Sequence, residues 1–264
     1  MKRSPALELR DVSYVANGRR ILDSINWMVQ PGEHWAVLGP NGSGKTTLLR
    51  IASGYLWPNA GGEVYRKGKK LAYLPELRKS IGWVTASLVN EIPFQERALN
   101  TVVSGKFAQI GYLGGYWGQA SSYDYTSARR YLKELGCEHL REQEFGTLSQ
   151  GEQQKILIAR ARMTKPYLII LDEPCAGMDP GARENFLGSL RRLGARKKIP
   201  ALIYVTHHIE EILPLFRRTL VLRGGKVIHS GRTQNVLQPR TLQELYGAPL
   251  SLSRRKGRFW PVIK

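Results

Sequence analysis

Residues 39–47 read Gly-Pro-Asn-Gly-Ser-Gly-Lys-Thr-Thr, a stretch suited to gripping the phosphates of a nucleotide. Gly39, Gly42 and Gly44 leave backbone N–H groups free to turn toward an anion, while Lys45 offers a flexible cation and Thr46 a hydroxyl of the kind magnesium accepts. The apolar run 35–38 precedes the loop, and Leu48, Leu49, Ile51 and Ala52 follow it in helical spacing that stops at Gly54. That order reads as strand, loop and helix N-terminus, the arrangement that binds anions.

A second group lies far downstream. Residues 168–174, Leu-Ile-Ile-Leu-Asp-Glu-Pro, form an apolar strand ending in two adjacent acids. Phosphoryl transfer needs one acid to support a magnesium shell and another group to orient water, and Asp172 and Glu173 fit those two tasks. Acids at the end of a buried strand cost desolvation unless metal or hydrogen bonds compensate, which favours a functional reading. Just before them, residues 147–155 open an apolar-periodic helix; taken alone, Ser149 with Glu152 three residues later is a helix capping box.

The elements that position these groups follow from periodicity. Residues 7–14 and 21–29 read as an antiparallel pair joined by Asn17-Gly18, and Pro31-Gly32 turns the chain into the strand before the loop. Further strands are expected at 63–65, 71–74, 83–85, 167–171, 201–206 and 219–222, and helices at 127–135, 152–163, 182–193, 209–216 and 242–246. Apolar strands flanked by helices predict a mostly parallel, buried sheet of the α/β class. Residues 86–157 lack convincing buried strands and carry a glycine- and tyrosine-rich loop at 111–125, so they read as a helical lobe inserted into the core.

The chain has 264 residues and a formal charge of +19, from 40 Lys and Arg against 21 Asp and Glu. Runs at 66–70, 191–198 and 254–258 favour anionic partners without distinguishing nucleotide, acidic lipid and nucleic acid. The segment 251–264 is a basic tail in which cations alternate with aromatics, suited to a lipid headgroup layer or to nucleic acid, or simply to solvation. No apolar run approaches the roughly 18 residues of a membrane span, and no signal-peptide core follows Met1, so a cytoplasmic protein is expected. Cys137 and Cys175 have no metal-ligand spacing and suggest no disulfide framework.

The order of motifs then becomes specific. The phosphate loop, Leu148-Ser149-Gln150-Gly151-Glu152, the Asp172-Glu173 strand end, Ala176-Gly177-Met178-Asp179-Pro180 and Val205-Thr206-His207-His208 together resemble the ATP-binding cassette (ABC) ATPases over nearly the whole chain. The resemblance implies a P-loop NTPase (RecA-like) core with a mostly parallel sheet, an N-terminal antiparallel β subdomain and an inserted helical subdomain. It divides the single nucleotide-binding domain, 1–264, into a core of 1–85 and 158–250, a helical lobe of 86–157 and the tail 251–264.

It also implies roles and ligands, ATP and Mg2+. Lys45 would contact the β- and γ-phosphates, with Gly39, Asn41, Gly42, Ser43, Gly44 and Thr47 making the remaining contacts of the loop. Thr46 and Asp172 would support magnesium, Glu173 would act as general base, and His207 would stabilise the γ-phosphate. Tyr14 stands where the family places an aromatic against adenine. Ser149 and Gly151 would serve the ATP of a second subunit, so the implied unit is a homodimer or a paired cassette.

Two departures from the family pattern stand out. Gln150 and Glu152 replace a glycine and a glutamine of the usual Leu-Ser-Gly-Gly-Gln. Where a glutamine is common after the strand at 83–85, this chain has Ala86, followed by Ser87. The favoured reading is the ATPase subunit of a transporter, peripheral at the inner face of the membrane, whose permease is a separate integral membrane chain. A soluble ABC ATPase acting on the ribosome or nucleic acid is the alternative that the charge would suit, and a small-molecule kinase would not need 148–152 or His207.

Overall fold

The computed structural model describes residues 4–112, 114, 118–196 and 199–263. Parts of two sequence features, the tyrosine-rich loop at 111–125 and the basic run at 191–198, lie outside the described residues. In chain order the strands are β1 (Leu7–Ala16), β2 (Arg19–Val29), β3 (Trp35–Leu38), β4 (Glu63–Arg66), β5 (Ile81–Thr85), β6 (Leu168–Asp172), β7 (Ala201–Thr206), β8 (Arg218–Arg223), β9 (Lys226–Arg232), β10 (Leu250–Arg255) and β11 (Arg258–Ile263). The helices are α1 (Lys45–Ala52), α2 (Leu74–Ser80), α3 (Ala86–Glu91), α4 (Ala98–Ser104), α5 (Ser122–Glu134), α6 (Gln150–Ala161), α7 (Pro180–Gly194), α8 (Thr233–Val236) and α9 (Pro239–Tyr246). The fold is α/β, and its strands fall into two compact units, Met1–Ile81 with Pro200–Lys264, and Gly82–Ile199.

In the first unit, β3 lies between β7 and β8 and runs parallel to both, while β9 closes the edge antiparallel to β8. All four residues of β3 are buried, as are all six of β7, which is why both read as continuous apolar runs rather than alternating ones. A separate antiparallel sheet is ordered β2-β1-β4. Its hairpin turns at Asn17 (φ 48°) and Gly18 (φ 71°), the two positive φ values that a tight two-residue turn with matching strand twist demands. Leu7, Leu9 and Val12 of β1 and Leu22, Ile25, Trp27 and Val29 of β2 are buried, and Trp27 meets Trp35 edge-on at 5.8 Å.

Arg66, at the end of β4, is only 3% exposed because its guanidinium works inside the protein. Nε donates to Ala52 O at 2.8 Å and Nη2 to Ile51 O, the last carbonyls of α1. A cation there completes the C-terminal end of the helix whose N-terminus follows the glycine-rich loop.

The second unit contains β5 beside β6 and the helices α3 to α7. Helix α6 is its centre, packed against α3, α4, α5 and α7, with Ile156, Leu157, Ile158 and Ala159 essentially without exposure. Helix α5 begins with a capping box: Ser121 N and Oγ both donate to Asp124 Oδ2, at 3.0 and 2.8 Å. Asp179 caps α7, its Oδ1 accepting from the amides of Gly181 (2.8 Å) and Ala182 (2.9 Å), with Pro180 at the first turn. Between Ala86 and Leu157 the described residues include no strand, only helices and turns.

Three expectations are corrected. Residues 71–74 are not a strand: Leu71 and Tyr73 are 80% and 70% exposed, and Pro75 sits in the first turn of α2, where its fixed φ starts a helix. Residues 209–216 form a helical turn only over Ile209–Glu211, because Pro214 cannot donate a hydrogen bond and disfavours helix at Leu213. Ile209, Ile212, Leu213 and Phe216 are nevertheless buried, which is the pattern that suggested a helix. The segment 251–264 carries most of β10 and all of β11, an antiparallel pair that turns at Lys256 (φ 51°) and Gly257 (φ 77°). Cys137 and Cys175 are buried and form no disulfide among the described residues, and burial pushes the Cys137 thiol up to about 12.

Candidate functional site: a phosphate loop and a carboxylate turn

The loop 39–44 leaves the sheet at the C-terminal end of β3. Leu38 is paired in register with Thr206 of β7 and with Val221 of β8, so the loop emerges between two buried parallel strands. Gly39 is obligatory: a Cβ there would lie 2.4 Å from Leu222 O and 2.6 Å from Ser43 Oγ. Gly44 has φ +99°, and a Cβ on it would meet Leu22 Cδ2 at 2.8 Å and Ile21 O at 2.9 Å. Backbone curled this tightly turns successive amides into the same concavity.

Three further observations fit an anion in that concavity. Helix α1 starts at Lys45 with no side chain capping it and no acid in its first turn, so its first amides are left for a ligand. The Ser43 hydroxyl is buried and makes no hydrogen bond among the described residues, a cost that a phosphate oxygen would remove. Lys45 is 6% exposed, and its Nζ donates to Gly39 O (2.8 Å) and Pro40 O (3.1 Å), which folds the ammonium back over the loop. Thr46 is exposed, Thr47 half-buried and Asn41 exposed.

Tyr14 and His207 belong to the same unit as this loop. Tyr14 is half-buried and faces Leu22 across the β1–β2 pair, and Leu22 is the side chain that Gly44 must clear. His207 follows Thr206 directly, so it leaves β7 level with Gly39 leaving β3. Its ring stacks obliquely on His208 at 4.2 Å, and its carbonyl accepts a hydrogen bond from Tyr246 Oη at 2.9 Å. Behind it, the buried Glu211 carboxylate accepts from Thr206 Oγ1 (2.7 Å) and Tyr204 Oη (3.0 Å). Tyr246 and Glu211 were not foreseen. A phenol bonded to a backbone carbonyl leaves no motif, whereas the polar Thr206 beside a nearby Glu could have suggested the second.

The second unit brings together the other expected residues. Asp172 is the last residue of β6, and Glu173 follows it with φ 48°, a left-handed conformation that costs a residue with a Cβ about 1 kcal/mol. A tight turn follows, in which Ala176 N donates to Glu173 O and Met178 N to Cys175 O. The start of α6 rests on this turn. A Cβ at Gly177 would touch the Gln150 side chain at 3.3 Å, and one at Gly151 would touch Met178 Sδ at 3.8 Å. Ser149 is exposed, and both its N and its Oγ donate to Glu152 Oε2, at 2.9 and 2.7 Å, which is the expected capping box.

At the strand end where the family often has glutamine, Ala86 is the first residue of α3. The polar atoms there belong to Thr85, whose Oγ1 accepts from Leu88 N (3.2 Å) and lies 2.8 Å from Ser87 Oγ. Among the described residues, no cluster of three His, Cys, Asp or Glu side chains is placed to hold a metal. A magnesium ion carried by a nucleotide does not require one, since phosphate oxygens and water supply most of its ligands and protein adds one or two oxygens. Thr46, in the first unit, and Asp172, in the second, each carry a side-chain oxygen.

A glycine-lined loop feeding an uncapped helix at the end of a parallel strand defines a P-loop nucleotide-binding protein. The chain belongs to the ABC transporter family: the family model of that description matches residues 22–176. It is 37% identical over 255 residues to an uncharacterized ABC transporter ATP-binding protein, YlmA, of Bacillus subtilis (strain 168), covering 96% of this chain and 95% of YlmA. It is 31% identical over 243 residues to the phosphonates import ATP-binding protein PhnC of Paraburkholderia xenovorans (strain LB400), covering 88% of this chain and 78% of PhnC. Among solved structures it superposes on CbiO1 of Clostridium perfringens, part of the ABC transporter complex CbiONQ, with TM-score 0.78 and 27% identity over 91% of this chain and 94% of that one. The chain is thus an ATP-binding, ATP-hydrolysing transporter subunit. None of its described helices is long and apolar enough to cross a membrane.

Proposed function

We propose that two such cassettes close around ATP and that each cycle of closure and hydrolysis drives a permease made of separate integral membrane chains. The observation that carries this reading is the loop 39–47, with its buried, unpaired Ser43 hydroxyl and its Gly39 pressed against Leu222. Lys45 and the loop amides hold the triphosphate, and Tyr14 lies against the adenine. Thr46 and Asp172 hold a magnesium ion, which neutralises charge on the phosphates. Glu173 accepts a proton from the attacking water, and His207 steadies the γ-phosphate as charge develops on it.

Ser149, exposed just before α6, and the amide of Gly151 in its first turn cap the γ-phosphate held by the second cassette. A phosphate at a helix N-terminus is favoured by the open amides and the helix dipole. Loss of the γ-phosphate removes that bridge, and the pair opens.

PhnC is an import protein, and CbiO1 belongs to a transporter complex; these likenesses support an importer whose cassettes are peripheral at the cytoplasmic face. The test is purification of the untagged protein's native complex at moderate salt. Recovery with an integral membrane protein is expected. Recovery only with ribosomes or nucleic acid would replace the transport reading by the soluble one.

A further inference from the structure

The segment after β7 is held from outside by the C-terminal residues of the same unit. Tyr246, the last residue of α9, donates from Oη to His207 O at 2.9 Å. Arg258, the first residue of β11, is 9% exposed and donates from Nε to Glu210 O at 2.6 Å. The β10–β11 turn closes on the same stretch, since a Cβ at Gly257 would meet Pro214 Cγ at 2.9 Å. Strand β11 packs against Ile209–Glu211. Two carbonyls of a short loop, three residues apart, are therefore each bonded by a side chain from Pro239–Ile263.

The loop needs such help. Pro214 prevents it from continuing as a helix, so most of its carbonyls have no intrahelical partner. From inside, Glu211 fixes it through Tyr204 and Thr206, and His208 N donates to Thr206 Oγ1 at 2.9 Å. His207 sits between these anchors, and its peptide carbonyl is the atom that Tyr246 holds.

We propose that Tyr246 is a positioning residue for ATP hydrolysis, fixing through its hydrogen bond the peptide from which the His207 imidazole reaches the γ-phosphate, with Arg258 holding the next turn. The inference rests on the role given to His207 above. Burial, and after it the Glu210 carboxylate, push the Tyr246 phenol up, so the group stays protonated and donates throughout the working pH range. The basic hairpin thereby acquires a structural task for Arg258, distinct from the exposed Arg254, Arg255 and Lys256.

Tyr246→Phe removes the donor and keeps the ring. In the full chain, kcat should fall about fivefold, the worth of one neutral hydrogen bond, with KM for ATP nearly unchanged. The same substitution made in a His207→Ala background should cause no further loss, and Arg258→Gln should behave like Tyr246→Phe. Independently of turnover, amide exchange measured by mass spectrometry without nucleotide should accelerate in peptides covering 207–212 in both variants. Equal losses with and without His207, or unaltered exchange at 207–212, would overturn the proposal. If His207→Ala leaves hydrolysis intact, it is the γ-phosphate role of His207 that fails, and exchange alone then decides whether Tyr246 holds the loop.

Discussion

Leu38 and Thr206 are paired in register on adjacent parallel strands, so the chain leaves the sheet at Gly39 and at His207 on one level of one edge. The glycine-rich loop and the segment that begins with His207 thereby leave the sheet side by side, set there by backbone hydrogen bonding. Ligands of parallel α/β sheets gather at this edge, beyond the carboxyl ends of the strands.

Gly44→Ala is expected to destabilise the chain by about 1–3 kcal/mol, from left-handed strain together with the overlap on Leu22 and Ile21. Gly18→Ala, with positive φ and nothing within 4 Å of the new methyl, should cost about 1 kcal/mol or less. Urea unfolding of the two variants separates the contributions.

Lys45→Ala should weaken a fluorescent ATP analogue by about 10- to 100-fold, the range for losing a charged hydrogen bond to phosphate. Lys70→Ala, which removes an exposed lysine paired with Glu63, should leave the titration unchanged.

Stability should decline on acidification through His34. Its Nδ1 accepts from Leu202 N at 3.1 Å, and burial, then Arg217, hold its pKa below the ordinary value. The unfolded chain therefore binds the proton first. The contribution is complete above the unfolded pKa of about 6.5 and is lost as pH falls from there toward the folded pKa. His34→Asn, which retains an acceptor that cannot titrate, should flatten the change in melting temperature between pH 7 and pH 5.

The phosphate loop was legible because its chemistry is written in backbone geometry: only glycine satisfies the contacts at Gly39 and Gly44, so the demand appears directly as residue type. The place of Asp172 and Glu173 at a strand end was legible for a related reason, two acids closing a wholly apolar strand. At 209–216 and 71–74 the spacing of apolar residues does not set the secondary structure. Pro214 and Pro75 decided the backbone there, and exposed Leu71 and Tyr73 show that apolar residues need not face inward. The pairing of β10 with β11 and the bond from Tyr246 to His207 join partners whose types follow no local rule, so composition suggested only a basic tail.

Glu173→Gln tests the central claim most directly. The amide keeps the shape of the side chain and cannot accept the proton, so hydrolysis should fall by about 10²- to 10⁴-fold while ATP still binds. In sedimentation velocity, the variant should run as a dimer with ATP and as a monomer with ADP. A monomer at saturating ATP, or a hydrolysis rate equal to that of the unaltered chain, would contradict a cassette pair closed around ATP and opened by Glu173.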